Sequence, residues 1–358
     1  MVFNSIFFIF CFLPVFMLIY YLVPGKLRNL LLFLGSLIFY AWGEPVYVIL
    51  MLFSSIFNYY MGTELERLYY DDRKQKINLI FSIIINLAVL VFFKYYGFLL
   101  NTIGGITGIH IPHPELSLPI GLSFYTFRNL SYLFDIYLSK VNAQRNFLTF
   151  AVYSTMFPYT SAGPIVRYTD IETQLKQRTI NISKFGIGAE LFVKGLAKKV
   201  LLADNLSVLY SSICGHPQMS VFTSWLGILA YTMQLYFDFS GYSDMAIGLG
   251  KMLGFEFNKN FDYPYISTSV SEFWRRWHIS LGSWFRDYIY IPLGGNRVST
   301  LKHIRNILVV WALTGLWHGA SWNFVLWGVY YGLFLLLEKF VLQKYLKKIP
   351  SWLCTVYT

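Results

Sequence analysis

The sequence predicts an all-α, polytopic membrane protein, and three observations support this fold class. Hydrophobic residues make up 56% of the 358-residue chain and charged residues only 13%, which is unlike an ordinary soluble domain. Apolar runs long enough to cross ~30 Å of hydrocarbon recur along the chain. The net charge of +11 comes from Lys and Arg that stand between these runs. That pattern indicates a basic cytoplasmic face rather than a nucleic-acid-binding surface.

The first apolar segment covers residues 3–23 and is predicted to be a membrane span. It begins without a positive charge and is followed, not preceded, by Lys26 and Arg28. A cleaved signal peptide has the opposite arrangement, so we expect this span to remain in the mature protein.

Further apolar stretches follow in order. The longer ones are residues 30–42, 46–61, 77–100, 118–139, 222–239, 306–320 and 322–337, and the ambiguous ones are 147–159, 186–202 and 279–292. Together they predict about eight to eleven membrane helices, some of them short or re-entrant. We find no internal repeat or polar linker, so the simplest expectation is one membrane-embedded domain over residues 1–358.

The distribution of Lys and Arg predicts the orientation. The connections at residues 26–28, 67–76, 140–145 and 167–199 are basic, whereas the loops 43–45, 101–119 and 203–224 contain no Lys or Arg. Because cytoplasmic loops retain basic residues, the amino terminus is predicted to lie outside. The crossing that must occur between residues 147 and 222 is not located by this pattern.

His318 is the first candidate functional residue. It lies within the apolar segment 311–322, where an ionisable side chain is costly to bury and is therefore a functional candidate. Imidazole titrates near neutral pH, so His318 can accept a hydroxyl proton without strong perturbation. The alternative is a histidine that hydrogen-bonds between helices and only holds them together.

A second candidate patch covers residues 272–288. Arg275 and His278 are three residues apart, as are Trp274 and Trp277, so on a helix they would line one cavity. An interfacial amphipathic helix, with aromatic rings at headgroup depth, is the alternative.

Acidic residues form a third cluster at residues 236–244. Asp238 and Asp244 are suited to orient a histidine or to pair with Arg275 or Arg276, while a capped helix end is the alternative. Glycine and proline at 118–127 and 162–168 predict broken backbone that protein or a water-filled cavity must satisfy.

No metal site or disulfide framework is predicted. His110 and His113 occur in an outer loop with only Glu115 as a nearby acid, and they are better explained as solvated loop residues. The three cysteines are far apart and lack metal-ligand spacing.

Five elements in this order, residues 119–127, 162–168, 237–244, 272–281 and 316–322, resemble the membrane-bound O-acyltransferase (MBOAT) family. The likeness is closest to the AlgI-type branch of alginate and polysaccharide O-acetylation, with the teichoic acid D-alanyl transfer protein DltB more distant. It extends from the first span to about Leu337. It implies an MBOAT-like multi-helix fold with cytoplasmic and extracellular funnels and a thin wall between them.

The resemblance also implies a reaction. The family's signature histidine maps onto His318 and its second histidine onto His278. Family members move an acyl group, here expected to be acetyl, from a cytoplasmic thioester toward hydroxyls of an exported polysaccharide. Polysaccharide-modifying members act with a secreted or membrane-anchored partner acyltransferase. The expected location is the plasma or inner membrane of a bacterium.

The donor is expected to be acyl-CoA or an acyl-carrier-protein thioester used as a co-substrate, with no bound cofactor. Arg275, Arg276 and Arg286 are candidates to hold its phosphates, because arginine makes charge-assisted contacts to phosphate. Asp238 and Trp317 are further candidate substrate-binding residues.

Two other function classes stay open. A polytopic transporter or flippase also explains many spans and intramembrane polar residues. A non-catalytic scaffold of a polysaccharide export complex is the third class. AlgI-type proteins usually continue with further carboxy-terminal spans, so a chain shortened at that end is expected here.

Overall fold

The structure is a computed structural model that describes residues 1–109, 111–114, 116–216 and 218–358. These residues are mostly helical, and no strand occurs among them. The α-helices, in chain order, are α1 (Leu13–Leu22), α2 (Arg28–Ala41), α3 (Tyr47–Arg67), α4 (Asp72–Thr107), α5 (Leu122–Tyr137), α6 (Phe147–Thr155), α7 (Phe157–Thr160), α8 (Tyr168–Lys176), α9 (Ile182–Ala197), α10 (Asp204–Cys214), α11 (Val221–Met252), α12 (Val270–Arg276), α13 (Ile279–Phe285), α14 (Thr300–His318), α15 (Trp322–Leu337), α16 (Gln343–Leu346) and α17 (Ser351–Tyr357).

Within the described residues, three helices are long and apolar enough to cross a membrane: Tyr47–Arg67, Asp72–Thr107, and the continuous helix Trp322–Leu346 that includes α15 and α16. A shorter apolar helix covers Phe8–Leu22. The all-helical prediction is confirmed, while the count of eight to eleven membrane helices and the orientation stay predictions.

Local sequence explains where α4 begins and ends and where α5 begins. Asp71 starts α4 because its side chain accepts a hydrogen bond from the Lys74 backbone N–H at 3.0 Å. Gly108, with φ of +72°, ends the same helix in the left-handed conformation that glycine adopts without a Cβ clash. Gly121 immediately precedes α5 and is also left-handed, with φ of +74°.

The helix end that was one interpretation of residues 238–244 is wrong. The structure continues α11 through this cluster to Met252. The glycines of the cluster serve close packing instead, since a Cβ at Gly241 would lie 2.7 Å from the Gly195 carbonyl oxygen of α9. Gly248 meets Gly188 in the same way, at 2.6 Å. Small residues let two helix backbones approach closely in a membrane protein.

The chain divides into two compact units, residues 1–56 with 144–259 and residues 57–143 with 260–358. The single membrane domain expected over residues 1–358 stays a prediction. In the first unit, α9 and α11 pack through their paired glycines. Next to them an aromatic cluster packs, in which Phe157 lies edge-on to Phe12 and Phe16 at 5.7 and 5.3 Å.

The second unit contains α14 and α15, whose backbones also meet at glycines. A Cβ at Gly315 would clash with the Phe324 carbonyl oxygen, and one at Gly328 would clash with that of Trp311. The same unit ties α13 to α5, because the Trp284 indole N–H donates to the Phe127 carbonyl oxygen at 2.9 Å. These contacts join α14 to α15 and α13 to α5.

Candidate functional site

His318 is the last residue of α14. The helix ends there because Gly319 is extended, with φ of −166°. The imidazole is surrounded by aromatic rings: it lies 5.1 Å from the Trp327 ring, edge-on, and 6.4 Å from the nearly parallel Phe324 ring. Aromatic packing on both sides limits the positions that the His318 ring can take.

Two neighbouring side chains of α4 bind the carboxy-terminal end of α14. The Tyr95 hydroxyl donates to the Leu316 carbonyl oxygen at 2.6 Å, and the Lys94 ammonium group donates to the Trp317 carbonyl oxygen. The last carbonyls of a helix have no partner within it, and a cation near them also interacts favourably with the helix dipole. This pair therefore holds the turn that carries His318.

Lys94 is not among the residues predicted from the sequence, although the sequence contains a signal for it. It is a single lysine in the middle of the long apolar stretch 77–100, and an ionisable residue inside a span is a functional candidate. Tyr95 gave no such signal, because tyrosine is common in this chain.

His278 lies at a corner between α12 and α13, where it is 3% exposed. Its backbone is left-handed, with φ of +45° and ψ of +53°, a conformation that few residues other than glycine adopt. The interpretation that Arg275 and His278 lie on one helix is therefore wrong, because α12 ends at Arg276. Arg275 and His278 nevertheless line one cavity, as predicted, from two short helices.

This histidine cavity, as we call it, has a volume of about 330 Å³. Both His278 and His318 line it, together with Arg275, Arg286 and Trp274. The Trp317 ring stands beside both imidazoles, 5.7 Å from that of His278 and 5.1 Å from that of His318. Four of the predicted site residues thus share one cavity and Trp317 packs next to it.

A second cavity, of about 650 Å³, adjoins the first. Arg275, Tyr290 and Trp311 line both cavities. The second cavity adds the cations Lys339 and Lys347 and one acid, Glu338, whose carboxylate accepts the Val270 backbone N–H at 2.6 Å. We call it the basic vestibule. Its charge suits an anionic ligand whose other end reaches the histidines.

A third cavity, of about 910 Å³, is lined by Lys94, Asn101, His113 and Ser321. It lies beside the end of α4 and the start of α15. His318 lines the histidine cavity, and the nearby Ala320 lines this third cavity. We call it the Lys94 cavity. The loop residues that line it belong to the segment 101–119, which the sequence predicts to be extracellular.

The three predicted arginines differ in their surroundings. Arg276 is engaged by acids, with Nη2 at 2.8 Å from Glu272 and Nη1 at 3.6 Å from Asp262. Arg286 pairs with Asp287 at 2.7 Å and is largely exposed. Arg275 has no ion pair within the described part of the chain and lines both the histidine cavity and the basic vestibule. Among the three, Arg275 is best placed to bind an anion.

Asp238 has a different partner from those predicted. Its carboxylate lies 2.7 Å from the Lys199 ammonium nitrogen, and Lys199 also binds Asp204 at 2.8 Å. Asp244 likewise pairs with Lys198 at 2.6 Å. Lysines of their own unit therefore engage both acids, in place of the predicted Arg275 or Arg276.

Glu272 stabilises the start of α12, in the short helical region that follows the polar segment 255–269. Its carboxylate accepts the Thr268 backbone N–H at 2.9 Å and binds Arg276. The Thr268 N–H, its hydroxyl and the Arg276 guanidinium together hold the pKa of Glu272 at about 2. The residue therefore carries its charge at any physiological pH.

No group of three His, Cys, Asp or Glu that could hold a metal ion occurs within the described ranges. His113 lies at the Lys94 cavity, and its Nδ1 is 3.0 Å from the Ile111 carbonyl oxygen. His110 and Glu115, which were weighed with it, lie outside the described residues.

Comparison with known proteins identifies the family. A family model described as MBOAT, membrane-bound O-acyltransferase family, matches residues 41–347. The chain is 44% identical over 95% of its length to the Pseudomonas aeruginosa protein named "Probable alginate O-acetylase AlgI", and it spans 66% of that relative. It is 35% identical over 99% of its length to the peptidoglycan O-acetyltransferase of Helicobacter pylori, of which 75% is covered. A teichoic acid D-alanyltransferase of Bacillus subtilis is 29% identical over 68% of this chain and 64% of its own. The resemblance found in the sequence is thereby confirmed, and the chain belongs to the membrane-bound O-acyltransferase family.

Proposed function

We propose that this protein is a membrane O-acyltransferase that moves an acyl group, acetyl in the first instance, from a cytoplasmic thioester donor toward hydroxyls of an exported polysaccharide, by way of a partner acyltransferase. The observation that carries this proposal is the histidine cavity, in which His278 and His318 meet with a basic vestibule beside them. The names of the relatives support it, since they describe transfer of acetyl or D-alanyl groups.

His318 is the proposed general base. It removes the proton from the acceptor hydroxyl while the oxygen attacks the thioester carbonyl carbon, so that a C–O bond forms as the C–S bond breaks. The proton then passes from the imidazole to the departing thiolate sulfur. A positioned histidine typically contributes ~10²- to 10⁴-fold to such a step. His278 is the proposed second catalytic histidine, since it lines the same cavity.

The basic vestibule is the proposed route for the donor. Acyl-CoA and acyl-carrier-protein thioesters both carry phosphate on the arm that ends in the thioester. Arg275, Lys339 and Lys347 offer charge-assisted contacts to that phosphate. Arg286 lines the histidine cavity and Trp317 packs against both histidines, so they are proposed donor contacts as well. Arg276 is engaged by Glu272 and, unlike Arg286, is not among the residues that line the histidine cavity or the basic vestibule, so it is a weaker candidate. Asp238 is paired with Lys199 and is a weaker candidate as well.

The Lys94 cavity is the proposed acceptor side. It adjoins the turn after His318 and is lined by the segment that is predicted to be extracellular. A secreted or membrane-anchored partner acyltransferase would receive the acyl group there and complete delivery to the glycan. We further propose that the protein lies in the inner or plasma membrane of a bacterium, with its donor side in the cytoplasm.

The test is polysaccharide acylation in cells that carry His318→Ala at matched expression. Acylation should fall at least ~100-fold while the protein remains inserted in the membrane. His216→Ala is the matched control, because His216 is an exposed loop histidine whose loss should change nothing. A scaffold would keep full acylation with His318→Ala, and a transporter would change substrate flux instead. Either result would refute the proposal.

A further inference from the structure

Asn260 is a buried residue that binds the corner carrying His278. It is 1% exposed and lies in the segment between α11 and α12. Its side-chain oxygen Oδ1 is 3.2 Å from His278 Nδ1, 3.2 Å from the Ser280 backbone nitrogen and 2.9 Å from Ser280 Oγ. Its backbone carbonyl accepts the Ile279 N–H at 2.9 Å. One residue thus contacts three consecutive residues of the corner.

The orientation of the Asn260 amide follows from these contacts. The backbone N–H of Ser280 can only donate, so the amide atom that faces it must be the oxygen rather than the nitrogen. An amide oxygen can only accept, and the same oxygen faces His278 Nδ1. His278 Nδ1 must therefore carry a hydrogen. Since neutral imidazole carries one N–H, its Nε2 is left as the acceptor.

The backbone at His278 indicates that its side chain matters. A left-handed conformation is unfavourable for a residue with a Cβ relative to the right-handed one, and glycine would avoid this cost. The hydrogen bonds from Ser280 and Ile279 to Asn260 hold the corner in this conformation. Strain of this kind persists where the surroundings over-determine it, and such positions cluster at functional sites.

We propose that Asn260 is a positioning residue that fixes His278 as the Nδ1–H tautomer, so that Nε2 accepts a hydrogen bond or proton in the histidine cavity. The proposal rests on the proposed function in one respect, that the cavity is the acyl-transfer site. It assigns His278 the role of an acceptor, suited to the hydroxyl or thiol hydrogen of a substrate. An asparagine can do this without the negative charge that would favour imidazolium.

The direct test is the tautomer of His278 in the resting protein. The chain is labelled with ¹⁵N- and ¹³C-histidine in lipid vesicles, and solid-state NMR distinguishes protonated from bare ring nitrogens. His278→Asn identifies the His278 signals by their loss, and asparagine tolerates the left-handed backbone. We expect a protonated Nδ1 and a bare Nε2. A proton on Nε2 in place of Nδ1 would overturn the proposal.

Activity of three variants provides the second test. Asn260→Ala removes the acceptor and should lower kcat about 10- to 100-fold, with the donor KM changed by less than about twofold. Ser280→Ala is the matched control, because it removes one donor to the same oxygen but spares the His278 bond. Asn260→Asp keeps an acceptor and should recover most of kcat, with the acid limb of the pH–rate profile moved to higher pH because its charge favours imidazolium.

The outcomes separate this proposal from the proposed function. If Ser280→Ala lost as much kcat as Asn260→Ala, or if Asn260→Asp showed an unmoved pH profile, Asn260 would have only a structural role. If Asn260→Ala did not fold, the tautomer seen in the wild-type NMR spectrum and the pH–rate profile of Asn260→Asp would still test the proposed role of Asn260. Full acylation with His318→Ala, together with the expected His278 tautomer, would refute the function and leave the tautomer assignment intact.

Discussion

Removing the Tyr95 hydroxyl tests how firmly the end of α14 is held. Tyr95→Phe keeps the ring and deletes only the O–H that donates to the Leu316 carbonyl oxygen at 2.6 Å. That carbonyl belongs to the last turn of α14, where no helical N–H is available to replace the lost donor. The Lys94 contact to the next carbonyl would remain. The variant therefore loosens the turn that carries His318 without changing any residue of that turn.

The magnitude follows from this single hydrogen bond. A net loss of about 1 kcal/mol is expected, rising toward about 2 kcal/mol if the carbonyl stays unsatisfied. For a folding unit of about 150–250 residues, which is the size class of the unit that contains Tyr95, a loss of 1 kcal/mol lowers Tm by roughly 2–4 °C. If the same 1 kcal/mol holds His318 in its reactive position, acyl transfer should fall about fivefold, because 1.36 kcal/mol is tenfold in rate.

The assay compares acyl transfer and thermal unfolding of Tyr95→Phe with those of Tyr96→Phe. Tyr96 is the next residue of α4 and is half-buried like Tyr95, and its hydroxyl has no hydrogen bond within the described part of the chain. Tyr96 also lines the Lys94 cavity, so thermal unfolding is the measurement in which its variant should match the wild type. Equal losses in the two variants would show that any lost hydroxyl in α4 has this effect, and the proposed role of the Tyr95–Leu316 bond would be refuted.

Three further predictions concern the same unit. Arg275→Ala should raise the KM for the thioester donor about tenfold with little change in kcat, whereas Lys302→Ala, which removes an exposed cation of α14, should change neither in a steady-state assay. Gly315→Ala should cost about 1–3 kcal/mol of stability because its Cβ would meet the α15 backbone, whereas Gly105→Ala, with open space around it, should not destabilise in thermal unfolding. The pKa of Glu272 is lowered to about 2, so the stability that its charge contributes should be complete above pH 4.5, the usual pKa of a glutamate, and should be lost as the pH falls toward 2. Glu272→Gln should remove this pH dependence of stability in denaturation curves.

The candidate site was partly predictable from the sequence. His318 and His278 were identified by their apolar or aromatic surroundings and by family resemblance, and both line the cavity with Arg275. The residues that hold them were not identified. Lys94 binds the carbonyl of Trp317, which is 223 residues away in the chain and next to His318. Asn260 binds His278, which is 18 residues away. No local pattern records such contacts, because they depend on how distant helices pack.

The chemical nature of each segment was determined by the sequence alone. Apolar length predicted the membrane helices and isolated polar residues within them indicated function, since burial of such groups in hydrocarbon is costly wherever the helix lies. Tertiary structure decided which polar groups became partners. It joined Asp238 to Lys199 rather than to an arginine of the site, and it turned the chain at His278 instead of continuing the helix. Helix packing alone sets distances between residues far apart in the chain, and hydrogen bonds and ion pairs form only within a few ångströms.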